Sequence, residues 1–217
     1  MALTCTFAAR YHAMEPNPLY EKIIDGLMTD KYAVADDFFS ADEVQALRAG
    51  ILQKYNEEQF RKSAIGNQSN EQVIGAIRGD FILWMDEENA GPEENIFFDK
   101  INDFMAYMNR TCFMGLAEKE FHYAVYPPGT FYRRHLDTFK NDSRRKLSIV
   151  TYLNDENWQP DYGGELSIYT NVNGSEQAID IYPVRGRVVV FESQELEHEV
   201  KPVKRDRLSI TGWIKTR

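Results

Sequence analysis

The stretch Tyr132-Arg133-Arg134-His135-Leu136-Asp137 and the segment Arg207-Leu208-Ser209-Ile210-Thr211-Gly212-Trp213, with His198 between them, decide how this chain folds. On an extended strand, residues i and i+2 project to one face. The His135 imidazole and the Asp137 carboxylate can therefore take hold of one ion from the same side. A second imidazole, His198, comes 61 residues after Asp137 and has to arrive from a distant strand; Arg207 follows it nine positions later. The segment around Arg207 alternates. Arg207, Ser209, Thr211 and Trp213 share one strand face while Leu208, Ile210 and Ile214 mark the other, as in a half-polar pocket wall backed by core.

Outward from these segments, strand patterns run over residues 120–126, 132–136, 146–153, 165–169, 177–182, 187–192, 198–202 and 207–215. Short strands separated by turn signals indicate a sandwich or barrel. The N-terminal third reads differently. Leu19, Ile23, Ile24, Leu27 and Met28 form a helical stripe after Pro16 and Pro18. Ser40 and Glu43 make a capping box that starts a second helix, with Val44, Leu47, Ile51 and Tyr55 at helical spacing up to about Phe60. Residues 63–71 are polar and read as a mobile loop leading into the turn and strand at Arg78-Gly79-Asp80-Phe81-Ile82-Leu83-Trp84. A third helix is expected over 94–109, with Ile96, Phe97, Ile101, Phe104, Met105 and Met108 on its apolar side. The fold class is thus α+β, mainly β: a single domain over 1–217, with helical support and leading strands in 1–115 and a β core in 116–217.

Composition agrees with one enzyme-sized domain. The 217 residues are 43% apolar, and 13 Phe, 12 Tyr and three Trp suit two sheets packed face to face. A net charge of −9 and a pI near 5.0 repel phosphate backbones and anionic membranes, so neither nucleic acid nor membrane is expected as a partner. Two cysteines, Cys5 and Cys112, make no disulfide framework and suit a reducing cytoplasm. There is no apolar run of signal-peptide or membrane-span length.

Two imidazoles and one carboxylate on one side of an ion leave about three octahedral positions open, as in non-haem Fe(II) sites that admit a cosubstrate and dioxygen together. Arg207 adds a planar, permanently charged fork that pairs bidentately with a carboxylate. For an isolated arginine the alternative is a side chain snorkelling to solvent. His12, before the first helix, and His122, on a strand without a carboxylate at i+2, read as structural or surface residues.

The run from Tyr126 to Trp213 resembles the catalytic core of the 2-oxoglutarate and Fe(II)-dependent oxygenases, specifically the prolyl 4-hydroxylase group. The matching residues are Tyr126-Pro127-Pro128-Gly129, Tyr132, His135-Leu136-Asp137, Tyr152-Leu153-Asn154, Gly163-Gly164-Glu165-Leu166, Pro183 with Gly186, His198-Glu199-Val200, and Arg207 through Trp213. Upstream, the segment Ile77 to Trp84 is similar to one in the oxygen-sensing prolyl hydroxylases of animals and their bacterial relatives. The nucleic-acid demethylases of this superfamily carry a second arginine six residues after the first, where this chain has Trp213.

The resemblance implies a double-stranded β-helix, or jelly roll, with the N-terminal helices packed on one sheet. It implies Fe(II), 2-oxoglutarate, dioxygen and ascorbate as cofactors and cosubstrates, with iron on His135, Asp137 and His198. Arg207 and Tyr152 would hold the distal carboxylate of 2-oxoglutarate, with Tyr126 and Leu166 beside it and Tyr132, Thr211 and Trp213 in the pocket. Arg78, Asp80 and Arg145 are candidates for substrate contacts. The implied substrate is a prolyl residue, hydroxylated at C4, in a protein or peptide. Bacterial members of this branch modify translation components such as elongation factor Tu, which makes a translation factor one candidate partner. An oxygenase acting on a small molecule or another residue stays open, as does a non-catalytic, cupin-like metal-binding protein.

Overall fold

Asn17 starts the first helix by accepting the backbone N–H groups of Leu19 and Tyr20, and Pro18 stands at a first-turn position where a missing N–H costs nothing. Here and below the structure is a computed structural model, which describes residues 15–63, 77–138, 143–172 and 174–217. Helix α1 (Pro18–Asp30) buries Tyr20, Ile23, Ile24 and Leu27. Met28, expected in that stripe, is 76% exposed, because it lies beyond the flank that meets the sheet. Helix α2 (Ala41–Asn56) carries the expected capping box, with Ser40 and Glu43 each accepting the other's backbone N–H. It stops short of Phe60, and Glu58 turns the chain in the left-handed region. Helix α3 (Pro92–Cys112) is longer than the 94–109 expected, since Pro92 opens it and Phe113 closes it with φ 55°.

Eleven strands follow the chain among the described residues: β1 (Tyr32–Ala35), β2 (Arg61–Lys62), β3 (Phe81–Trp84), β4 (Leu116–Tyr126), β5 (Tyr132–His135), β6 (Arg145–Tyr152), β7 (Leu166–Val172), β8 (Ser175–Ile181), β9 (Val188–Glu192), β10 (His198–Val200) and β11 (Arg207–Thr216). They form a major sheet in the order β1-β9-β6-β11-β4-β3-β2 and a minor sheet in the order β5-β10-β7-β8. Neighbours are antiparallel throughout. This is the jelly-roll double-stranded β-helix. Every strand read from the sequence is present. The two not foreseen, β1 and β2, are four and two residues long, too short to show a period.

The two faces of the major sheet have different partners. Phe121, Tyr123 and Val125 of β4, Leu147 and Ile149 of β6, Val188 and Val190 of β9 and Leu208, Ile210 and Ile214 of β11 pack with the helices. On the inner face Ala124, Tyr126, Val150, Tyr152, Val189 and Phe191 meet Leu166, Ile168 and Val200 of the minor sheet. The site lies between these sheets. No helix among the described residues is long and apolar enough to cross a membrane. The loop read over 63–71 lies outside the described residues except for Ser63, which is buried; Cys5 and His12 lie outside them too.

Gly212 shows how tightly β11 is held. A Cβ there would stand 2.1 Å from the Glu120 carbonyl oxygen and 2.4 Å from Phe121 Cδ1. Because β11 is paired on both sides, with β4 and with β6, the backbone has little freedom to yield. Gly212→Ala should destabilise the protein by about 1–3 kcal/mol through overpacking. A urea midpoint unchanged from wild type would contradict this account of the strand.

Candidate metal and cosubstrate site

The β5–β10 pairing places His198 directly opposite His135, with ring centroids 4.3 Å apart. Asp137, just past the end of β5, turns one carboxylate oxygen to each: Oδ1 is 3.4 Å from His135 Nε2 and Oδ2 is 3.4 Å from His198 Nε2. One ligand atom from each of the three lies within 4.8 Å of the others. Each imidazole is oriented by its own strand. His135 Nδ1 donates to the Arg133 carbonyl at 2.7 Å and His198 Nδ1 to the Leu196 carbonyl at 3.1 Å, which leaves both Nε2 lone pairs free for a metal.

Asp137 also accepts the Ser148 hydroxyl at 2.8 Å, and Ser148 is itself 2.8 Å from the Ser193 hydroxyl. Burial works against the Asp137 charge, but the adjacent His198 and His135 outweigh it and hold the carboxyl well below the usual carboxylate range. Burial, helped by the His135 charge, lowers His198 to about 4. At neutral pH Asp137 is therefore anionic and His198 neutral, the forms a metal requires. The donor set fits Fe(II).

The same cavity runs to Arg207, which is 1% exposed. Its Nε donates to the Gly164 carbonyl at 2.8 Å and its Nη1 reaches Ser209 Oγ at 3.5 Å, while the Tyr126 and Tyr152 rings lie 5.0 and 4.9 Å from the guanidinium carbon. No Asp or Glu among the described residues pairs with it. Beside it the buried Tyr152 hydroxyl has no partner within hydrogen-bond distance among the described residues, and burial raises its pKa against the opposing pull of Arg207, so that it stays a donor. A buried cation left unpaired costs several kcal/mol. An anion between Arg207 and Tyr152 would satisfy both groups, and the distal carboxylate of 2-oxoglutarate fits that place.

Of the other residues singled out in the sequence, Tyr126, Leu166, Tyr132, Thr211 and Trp213 line the cavity. Tyr132 stacks on His135 at 3.7 Å, and burial pushes its phenol up to about 12. Arg78 lines the cavity as well, with its guanidinium 4.3 Å from the Tyr132 ring centre. Asp80 does not. It is 1% exposed, takes a bidentate pair from Arg78 at 2.8 and 2.6 Å, and accepts Ser63 Oγ, so its place is to hold Arg78 rather than to meet a substrate. Arg145 is likewise engaged, by Glu120 at 2.7 and 3.0 Å and by the Trp213 ring at 3.5 Å, and it props that indole from outside the cavity lining.

His122 was passed over in the sequence because no carboxylate follows at i+2. In the structure it lines the cavity, 3% exposed, between Trp84 at 4.9 Å and Trp213 at 5.7 Å, with Nδ1 lacking a partner. The available signal was strand alternation, which puts His122 on the same face as Tyr126. The same alternation puts Ser148 with Tyr152 on β6.

A profile of the 2OG-Fe(II) oxygenase superfamily matches residues 121–215. The crystal structure of a Pseudomonas putida prolyl-4-hydroxylase is 39% identical, with a TM-score of 0.80 over 92% of this chain and 100% of that one. The chain belongs to the 2-oxoglutarate and Fe(II)-dependent oxygenases, in their prolyl 4-hydroxylase group. This oxygenase is also similar to a prolyl hydroxylase from Trichoplax adhaerens, solved in complex with a hypoxia-inducible factor oxygen degradation domain peptide fragment. There the identity is 27% and the TM-score 0.80, over 91% of this chain and 89% of that one. A Caenorhabditis elegans hypoxia-inducible factor prolyl hydroxylase is 28% identical over 203 residues, 89% of this chain; the oxygenase spans only 28% of that protein's length.

Burial lowers His122 to about 3, aided by the Arg78 charge, against 6.5 for a free histidine. Between those values the unfolded chain binds a proton at this residue and the folded one does not. Stability therefore falls as pH drops from 6.5 toward 3, with a His122 contribution of up to about 1.4 kcal/mol per pH unit. Denaturant titrations across this window should show a shallower acid loss in His122→Gln than in wild type, and identical slopes would contradict the buried neutral state.

Proposed function

We propose that this oxygenase hydroxylates C4 of a prolyl residue in a protein or peptide, with 2-oxoglutarate and dioxygen consumed and succinate and CO2 released. The observation that carries the reading is the buried Arg207, with no carboxylate partner among the described residues, beside the buried Tyr152 hydroxyl in the cavity that also holds the His135–Asp137–His198 cluster. A cupin-like metal-binding protein has no use for such a cation. The prolyl choice draws support from the Pseudomonas putida and Trichoplax adhaerens relatives.

His135, Asp137 and His198 would hold Fe(II), which when bound supplies the positions where the 2-oxo acid and dioxygen react so that a substrate C–H bond can be oxidised. The chain's own residues do the rest. Arg207 pairs with the distal carboxylate of 2-oxoglutarate, and Tyr152 donates its hydroxyl to the same group. Leu166, Val150 and Val200 bring apolar surface to the cavity and keep water from its middle. Trp213 and His122 line the cavity away from Arg207 on the same sheet face, next to the partly exposed Trp84, and offer aromatic surface to a pyrrolidine ring. A cytoplasmic translation factor is the candidate carrier of the target proline, supported by the resemblance to bacterial members that modify such components.

Anaerobic addition of 2-oxoglutarate to the Fe(II)-loaded protein should give a visible charge-transfer band. Arg207→Ala should weaken that binding by about 2–5 kcal/mol, the cost of truncating one partner of a buried charge pair. A mutant titrating like wild type would remove Arg207 from the cosubstrate site. His135→Ala and Asp137→Ala should fold and lose turnover, and activity surviving in both would sink the metal assignment. Asp137→Ala used as bait in a lysate should enrich proteins whose proline peptides gain one oxygen with wild-type enzyme, and oxygen found on other residues or on small molecules would redirect the substrate reading.

A further inference from the structure

Arg207 is aimed by a backbone carbonyl. Among the described residues its one short hydrogen bond runs from Nε to Gly164 O at 2.8 Å; the contact to Ser209 Oγ is at the 3.5 Å limit. The direction of the fork therefore depends on where the Gly164 carbonyl points; that carbonyl belongs to the Gly164–Glu165 peptide, which is hinged through Gly164 on the peptide plane between Gly163 and Gly164. This plane is held at both ends. Its carbonyl, Gly163 O, accepts the Trp158 indole N–H at 3.2 Å, and its N–H, on Gly164, donates to Pro202 O at 3.3 Å.

Close packing leaves that plane no side chain to lean on. Gly163 and Gly164 have φ of 68° and 73°, where other residues are strained. A Cβ on Gly163 would stand 2.2 Å from Pro202 O; one on Gly164 would stand 3.0 Å from Arg207 Cδ and 3.6 Å from Trp158 Cζ2. Trp158 and the Arg207 stem thus flank the space that a Gly164 side chain would fill. The indole is braced in turn: Tyr162 meets it edge-on at 5.7 Å, Arg205 lies 4.9 Å from the Tyr162 ring centre, and Lys204 N–H donates to Tyr162 O at 2.8 Å. Trp158 itself does not line the cavity.

We propose that Trp158 is a positioning residue for the cosubstrate, fixing the Gly163–Gly164 peptide on which the next peptide hinges, so that the Gly164 carbonyl aims Arg207 at the distal carboxylate of 2-oxoglutarate. The inference rests on the reading that Arg207 receives that carboxylate. Without the indole N–H, the peptide rotates more freely and the fork loses its preset direction. The metal end is untouched, because His135, Asp137 and His198 have their own supports.

The test is calorimetric titration of Mn(II)-loaded wild type and Trp158→Phe, which keeps a ring and removes the donor. Each protein is titrated with 2-oxoglutarate and, separately, with oxalate, a chelator of the metal that has no distal carboxylate. For Trp158→Phe the 2-oxoglutarate Kd should rise about three- to tenfold, the range of one lost hydrogen bond, with oxalate Kd, Mn(II) affinity and melting temperature unchanged. Gly164→Ala should give the same selective loss if it folds. Equal 2-oxoglutarate affinity in wild type and Trp158→Phe would overturn the proposal, as would a parallel loss of oxalate, which marks general damage to the cavity. Wild type that binds oxalate but not 2-oxoglutarate would overturn the Arg207 reading itself, and the inference with it.

Discussion

An arginine enclosed in the molecule without a carboxylate beside it is the constraint around which the rest is arranged. Arg207 stands on β11, which pairs along its length with β4 and over most of it with β6. Such a strand cannot shift to let the charge reach water. The surroundings are instead shaped to tolerate it: two tyrosine rings at about 5 Å, one backbone carbonyl, and two glycines that admit the neighbouring chain. The fold carries the cost of a buried charge with no carboxylate partner among the described residues, and a bound dicarboxylate would offset it.

The metal end depends on register in the same way. His135 and His198 face each other because β5 and β10 are paired at those two residues, and a slip of one position would turn one imidazole to the opposite face. Backbone carbonyls two residues upstream set both tautomers, so the ligand geometry is largely a property of strand conformation. Asp137 needs more help. It lies beyond the end of β5, and Ser148 of β6, itself hydrogen-bonded to Ser193 just past β9, holds its second oxygen in place.

Much of this was legible in the sequence where a period or a fixed spacing spoke. The alternation of Arg207, Ser209, Thr211 and Trp213 gave a strand face that the structure reproduces, and the capping box at Ser40 and Glu43 fixed the start of α2. What stayed hidden was of two kinds. Strands as short as β1 and β2 are made by their neighbours and carry no pattern of their own. The other kind is chemistry that depends on what lies opposite. His122 looked ordinary because its own strand shows no ligand partner, yet β3 and β11 enclose it between two tryptophans. Asp80 looked available because charge suggests exposure, yet Arg78 and Ser63 bury it.

The functional groups are divided between the two layers. His135 and His198 belong to the minor sheet, whereas Arg207 and Tyr152 belong to the major one. On the proposed reading a cosubstrate chelated at one end and clamped at the other would span the gap between the layers, and the gap would act as a gauge of chain length. The width of that gap is a collective property of the sandwich, set by the apolar side chains that space the sheets, such as Leu166, Ile168, Val150 and Phe191. Changes in that filling would retune which acid is accepted without altering any residue that touches its carboxylates.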